Sequence, residues 1–144
     1  MEEKNGGFSD DEQDLQQENI SKDLMFKFAI YEEQIRQIQE QNAALEKALV
    51  DSKLLLEGLE ALKDAKDKEI FASIGKGIFI KSVITDKDLL VDIGGKNFVK
   101  KTVSETQTII GEQIKKLEKV KEQLQENLDK INEEVDKLIR EIQA

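Results

Sequence analysis

The side chains best suited to chemistry in this sequence are two carboxylate clusters, at residues 10–14 and 133–136, and two glycine segments, IGKGI at 74–78 and IGGK at 93–96. The chain has no cysteine and no histidine, so it lacks thiol nucleophiles, disulfides and the commonest transition-metal ligands. The carboxylates do not have calcium-loop spacing and indicate solvated helix faces. Each glycine segment lies between two predicted strands, not before a helix where an anion would bind, and indicates a hairpin turn. Since no P-loop, nucleophile-elbow or metalloprotease motif is present either, we predict no enzyme activity and no catalytic, cofactor or metal site.

Two long stretches that flank the glycine segments carry seam residues at alternating spacings of three and four. This period predicts two α-helices that pack along one seam, so that a single chain carries both halves of an antiparallel coiled coil. The first seam comprises Leu24, Phe28, Tyr31, Ile35, Ile38, Asn42, Leu45, Leu49, Ser52, Leu56, Leu59 and Lys63. The second seam comprises Ile110, Ile114, Leu117, Lys121, Leu124, Leu128, Ile131, Val135, Leu138 and Ile142. Antiparallel neighbours should have residue numbers that sum to about 170, which sets Ile142 beside Phe28.

Between the heptads the apolar period changes to two, which predicts four short strands at 69–74, 78–84, 89–93 and 97–100. Turn-forming residues separate the strands, so two consecutive β-hairpins are expected. Alternation directs Phe79 and Val83 to one face of a four-stranded ribbon. It directs to the other face the residues Ile78, Ile80, Ile84, Leu89, Val91 and Ile93. Because both faces are apolar, we expect another copy or another subunit to cover the ribbon.

The predicted fold class is mainly α with a small β module, a long antiparallel coiled-coil hairpin with two β-hairpins at its turn. Residues 1–20 are a flexible acidic extension or a helix start, and residues 21–68 form the first coiled-coil helix. Residues 69–101 are the β module, an oligomerisation platform, and residues 102–144 form the second helix. Capping patterns place the start of the first helix at Ser9 or Ser21 and that of the second helix at Thr102.

Acidic residues outnumber basic ones by 31 to 22, which gives a formal net charge of −9. A negative surface disfavours nucleic acid and anionic membrane surfaces as partners. The sequence has no apolar run of the roughly 18 residues that a membrane span needs, and its first residues do not resemble a signal peptide. We therefore expect a cytoplasmic protein.

The first helix should extend beyond the end of the second. This overhang carries the cluster Leu24, Met25, Phe26 and Phe28, which is more apolar surface than a two-helix seam can cover. One interpretation is that the cluster packs against a neighbouring chain or against the end of the second helix. The other is a flexible apolar surface for client proteins, helped by the adaptable methionine side chain. The sequence leaves both interpretations open.

The β module and its flanking heptads resemble the α-class subunit of prefoldin, of the archaeal type. The resemblance lies in IFASIGKGIFIKSVI at 70–84 and DKDLLVDIGGKNFVKK at 86–101, and two hairpins instead of one point to the α class. It implies an ATP-independent holdase whose coiled coils project from a β-barrel platform of two α-class and four β-class subunits. Non-native proteins would be held at the coil tips and passed to a group II chaperonin. Family members commonly carry proline where this chain has Ser73, and some archaeal α-class relatives assemble by themselves into filaments.

Two functional hypotheses follow. In the first, the chain is a chaperone subunit that binds non-native polypeptides through Leu24, Met25, Phe26, Phe28, Ile139 and Ile142. It assembles with β-class subunits or further copies of itself through Ile78, Phe79, Ile80, Val83, Ile84, Leu89, Val91, Ile93 and Phe98. In the second hypothesis, the same β-hairpins build a structural filament, and any chaperone activity is secondary. The sequence does not separate the two.

Overall fold

The computed structural model describes the backbone of residues 3–143 and the side chains of residues 12–143. Its elements, in chain order, are helix α1 (Glu3–Ala61), a 3-10 turn (Leu62–Asp64), strands β1 (Glu69–Gly75), β2 (Ile78–Val83), β3 (Leu89–Asp92) and β4 (Phe98–Lys101), and helix α2 (Val103–Gln143). A long helical hairpin with two small antiparallel β-hairpins confirms the predicted fold class. The chain forms two compact units, a first unit of Met1–Ala43 with Glu122–Ala144 and a second unit of Ala44–Lys121.

Helix α1 differs from the prediction at both ends. It begins at Glu3, earlier than the two predicted serine starts, so the segment 1–20 is helical throughout its described part. This stretch is rich in Glu, Gln and Asp and has no proline, and glutamate and glutamine propagate a helix without a packed face. The Ser9 side chain, whose capping role was predicted, lies outside the described residues. At the other end the helix stops at Ala61, before the predicted end at residue 68, and tightens into the 3-10 turn.

Helix α2 begins at the predicted capping box. The Thr102 hydroxyl accepts a hydrogen bond from the Glu105 backbone N–H at 3.1 Å and donates to the Glu105 carboxylate at 3.1 Å. One N–H group that the helix leaves free is thereby satisfied. The Thr106 hydroxyl donates to the Thr102 carbonyl at 2.8 Å, and Thr106 itself is buried.

Burial follows the predicted first seam, because all twelve of its positions, eleven on α1 and Lys63 in the 3-10 turn, are buried or half-buried. In the first unit, Leu138 of α2 is buried as well. In the second unit, the buried seam residues are Leu45, Leu49, Leu59 and Ile114. Two predicted seam positions of α2, Lys121 and Ile142, are instead exposed.

Contacts between the helices confirm the predicted antiparallel register within each unit. In the second unit, the Lys121 ammonium lies 3.2 Å from the Glu46 carboxylate. In the first unit, Phe28 and Ile142 line the same groove. Both pairs have residue numbers that sum to about 170, as an antiparallel coiled coil requires.

The β module contains two separate two-stranded sheets, β1–β2 and β3–β4. The predicted hairpins are therefore confirmed, but the predicted four-stranded ribbon is wrong, since β2 does not pair with β3. The connection between the hairpins is held in another way. The Asp88 backbone N–H donates to the Asp86 carboxylate at 3.1 Å, and the same carboxylate lies 2.9 Å from the Lys100 ammonium of β4. The second of these contacts links the connection to β4.

The two glycine segments form the hairpin turns, as predicted. Gly75 and Gly77 have φ angles of 115° and 75°, and Gly94 has a φ of 123°. Residues other than glycine rarely adopt such backbone angles. The backbone geometry of the turns therefore explains why glycine occupies these positions.

Candidate functional site

Apolar side chains of both helices line a groove of about 560 Å³ in the first unit. We call it the helix-end groove, and its lining comprises Gln17, Ile20, Ser21, Leu24, Met25, Phe28, Glu141 and Ile142. Met25 is 71% exposed and Ile142 is 53% exposed, whereas Leu24 and Phe28 are half-buried. The volume falls within the range of ligand-binding clefts. The groove thus has the volume of a ligand-binding cleft and leaves the apolar side chains of Met25 and Ile142 open to solvent.

Helical spacing explains why these residues converge. Ile20, Leu24 and Phe28 follow one another at intervals of four, which places them on one face of α1. The seam continues on this face, where Ile142 of α2 lines the same groove as Phe28. These seam residues are half-buried or exposed, so they line a groove and do not form a closed core.

The structure brings together four of the six predicted client-binding residues, namely Leu24, Met25, Phe28 and Ile142. Phe26 is 68% exposed but does not line the groove. An α-helix rotates by about 100° per residue, so Phe26, two residues after Leu24, points away from the face that carries Leu24. Ile139, 39% exposed, does not line the groove either.

Ile20 lines the groove but was not among the predicted client-binding residues. Its spacing of four residues from Leu24 and eight from Phe28 was the signal that could have found it.

A second, more polar groove of about 650 Å³ adjoins the first and shares Gln17, Ser21 and Met25 with it. Its other lining residues are Asp14, Glu18 and Lys22. Together with Glu141, three carboxylates and one ammonium group therefore surround the exposed Met25. Among residues 12–143, none of these three carboxylates forms an ion pair.

In the second unit, the first β-hairpin exposes apolar side chains on both faces. Ile80 lies opposite Ala72 and Ser73 lies opposite Phe79, so Ile80 and Phe79 project to opposite sides of the sheet. Ile80 is 55% exposed and Phe79 is 60% exposed. An isolated two-stranded sheet with two apolar faces is marginal in water, so these faces are suited to packing against other chains.

The second β-hairpin has the same character. Val91 pairs with Val99 on one face, while Leu90, 71% exposed, and Phe98, 58% exposed, lie on the other. Of the predicted oligomerisation residues, the half-buried ones are Ile84, Leu89 and Val91. The exposed ones are Ile78, Phe79, Ile80, Val83, Ile93 and Phe98. Leu90 was not among the predicted oligomerisation residues. Alternation within its own hairpin places it on the same face as Phe98, and this could have identified it.

The carboxylate cluster at 133–136 is exposed on α2, and Glu134 lies 3.4 Å from the Lys137 ammonium. In the earlier cluster, the side chains of Asp10 and Asp11 lie outside the described residues. Over the described part of the chain, no group of three or more acidic side chains is arranged to hold a metal ion. None of the described helices has the length and apolar character of a membrane span.

A family model described as "Prefoldin subunit" matches residues 31–144. The chain belongs to the prefoldin subunit family. Prefoldin subunits are non-enzymatic chaperone or structural proteins that oligomerise with other prefoldin subunits or with themselves, so the prediction that the chain is not an enzyme is confirmed.

The fold agrees with a solved structure of filamentous PFD from Methanocaldococcus jannaschii, with a TM-score of 0.72 and 19% sequence identity. The match covers 80% of this chain and 97% of that one. No curated protein matches the sequence. The family match begins at Tyr31, so the α1 side of the helix-end groove precedes the part of the prefoldin sequence that the family model describes.

Proposed function

We propose that this prefoldin subunit is an ATP-independent holdase that binds apolar segments of non-native polypeptides in the helix-end groove. The observation that carries the proposal is the exposure of Met25, Ile20 and Ile142 around one open groove. Burial of apolar surface contributes about 25 cal/mol per Å², and it needs no particular hydrogen-bond pattern in the client. Such a surface accepts many different sequences, as a holdase must.

The test is suppression of client aggregation, measured by light scattering of a chemically denatured protein diluted into the subunit. The double variant Met25→Ser/Phe28→Ser removes two apolar side chains from the groove. We expect it to lose most of the suppression while circular dichroism retains the helical signal of the parent chain. Unchanged suppression would refute the assignment of this groove.

A control variant comes from the opposite side of the same helix. Phe26→Ser/Ile30→Ser also removes two exposed apolar side chains, which are 68% and 41% exposed, but neither lines the groove. We expect this control to suppress aggregation like the parent. Equal loss in both variants would show that total apolar surface matters and that the groove does not. The control also tests the predicted client-binding role of Phe26.

The proposal includes membership of the α class and assembly through the β module. Two hairpins between the helices support the α class, and their two-sided apolar surface supports a platform of several subunits, with β-class chains or further copies as partners. Handover of clients to a group II chaperonin and a cytoplasmic location complete the proposal. Transfer of a bound fluorescent client from the subunit to purified chaperonin would test the handover.

A second candidate function is a structural filament formed from copies of this chain. The observation that favours it is that both hairpins leave all four strands with a free edge, which further copies can pair with. The similar fold of a filamentous relative is consistent with this candidate.

Negative-stain electron microscopy of the purified chain separates the two candidates. Regular rods would support the filament, whereas small oligomers that a β-class partner converts into compact particles would support the hetero-oligomer. The variant Phe79→Asp/Ile80→Asp places a charge on each face of the first hairpin. It should prevent both assemblies, and persistence of either would contradict a role for these faces.

A further inference from the structure

We propose that the helix-end groove selects clients whose apolar residues are flanked by lysine or arginine. The inference rests on the proposed holdase function and adds a chemical class of client to it. The first unit contains 18 acidic and 7 basic residues, whereas the second contains 13 acidic and 15 basic residues. The acidic excess of the protein therefore resides in the unit that contains the groove.

The charge next to the groove has the same sign. Asp14 and Glu18 line the adjoining groove at the exposed Met25, and Glu141 lines the helix-end groove itself. Of the side chains that the structure describes, Lys22 is the one cationic group that lines either of these two grooves. Since the three carboxylates have no ion-pair partner among residues 12–143, they are available to a cation from a bound client.

Lysine and arginine suit this combination of apolar floor and acidic rim. Their aliphatic stems can pack on Leu24 and Met25 while the charged heads reach the carboxylates at the rim. Arginine can bind a carboxylate with two parallel hydrogen bonds. Acidic segments meet like charge at the same rim, and this repulsion disfavours them as partners.

The experiment uses the full-length protein and three fluorescent peptides that share one apolar sequence, flanked by four lysines, four serines or four glutamates. Binding is measured by fluorescence anisotropy. We expect the lysine peptide to bind about tenfold more tightly than the glutamate peptide at low ionic strength, the scale of several exposed charge pairs acting together. The difference should shrink at 1 M salt, where the Debye length is about 3 Å.

A triple variant, Asp14→Asn/Glu18→Gln/Glu141→Gln, removes the three carboxylates beside the groove. We expect it to abolish most of the lysine preference and to leave binding of the serine peptide within about twofold. The control, Glu57→Gln/Asp64→Asn/Glu112→Gln, removes the same net charge from the second unit and should keep the preference. Equal loss in both triple variants would overturn the assignment to the groove.

A failure of the proposed holdase function can be distinguished from a failure of the charge preference. If Met25→Ser/Phe28→Ser leaves binding of the serine peptide unchanged, the groove is not the client site and the proposed function fails. If that variant weakens the serine peptide but the parent binds lysine and glutamate peptides equally, the groove holds clients and the charge preference alone is overturned.

Discussion

Replacement of Leu49 by alanine should destabilise the coiled coil, whereas the same replacement at its neighbour Val50 should not. Leu49 is 6% exposed on the seam of the second unit, and Val50 is 55% exposed on the same helix. Leu49→Ala removes about two to three methylene equivalents of buried surface at about 0.8 kcal/mol each, and the cavity left behind adds to this loss. Because a two-helix seam is open at its sides and can relax, we expect about 2–3 kcal/mol, the lower part of the range for buried leucines. Val50→Ala should change the free energy of unfolding by less than about 0.5 kcal/mol, since alanine is the better helix former.

Urea unfolding followed by circular dichroism at 222 nm measures both variants. Two protein concentrations are needed, because self-association adds to apparent stability. Similar losses for the two variants at both concentrations would refute the seam assignment. A loss at Val50 that grows with protein concentration would instead show that a second copy covers this face of α1.

Three further predictions concern α2 and the β module. Thr102→Ala should cost about 1 kcal/mol in urea unfolding through loss of the α2 cap, and Thr102→Ser should restore most of it. Gly75→Ala places a side chain at a φ of 115° and should lower the free energy of unfolding by about 1 kcal/mol or more. An unchanged midpoint of urea unfolding would contradict that turn geometry. The hydrogen bond from the Lys100 ammonium lowers the pKa of Asp86 below its ordinary 3.8, so its contribution to stability is present above about pH 4 and is lost as the pH falls through the folded pKa. An NMR titration should show this lowered pKa, and Lys100→Met should bring it back towards the ordinary value.

The seam and the hairpins could be predicted because each leaves a strong local signal. A period of 3.5 residues in the first seam identifies the side that is buried, and even its polar residues Asn42, Ser52 and Lys63 are half-buried where the period places them. Glycine pairs bounded by β-branched residues specify hairpin turns, and the strands agree with the prediction to within one or two residues.

Other features could not be predicted because their signals are weak or not local. The start of α1 carries helix propensity without periodicity, so the capping patterns indicated starts at Ser9 or Ser21 although the helix already includes Glu3. Alternation of apolar residues does not specify which strand edges pair, so it could not show that β2 and β3 remain unpaired, and it does not show the contact between Asp86 and Lys100. At the groove, adjacency in sequence grouped Phe26 with Leu24, although the helical rotation separates them.

The register of the helical hairpin also orders its folding. The Gln107–Glu60 hydrogen bond in the second unit joins residues 47 apart in sequence, whereas Phe28 and Ile142 of the first unit are more than one hundred apart. Direct closure of the longer loop costs about 0.8 kcal/mol more than closure of the shorter one, and local contacts generally form first. The helix-end groove should therefore be the last part of the seam to form and the first to open, with the fastest amide exchange along α2. A surface proposed to hold unfolded chains would itself be assembled from the least local contacts in the protein.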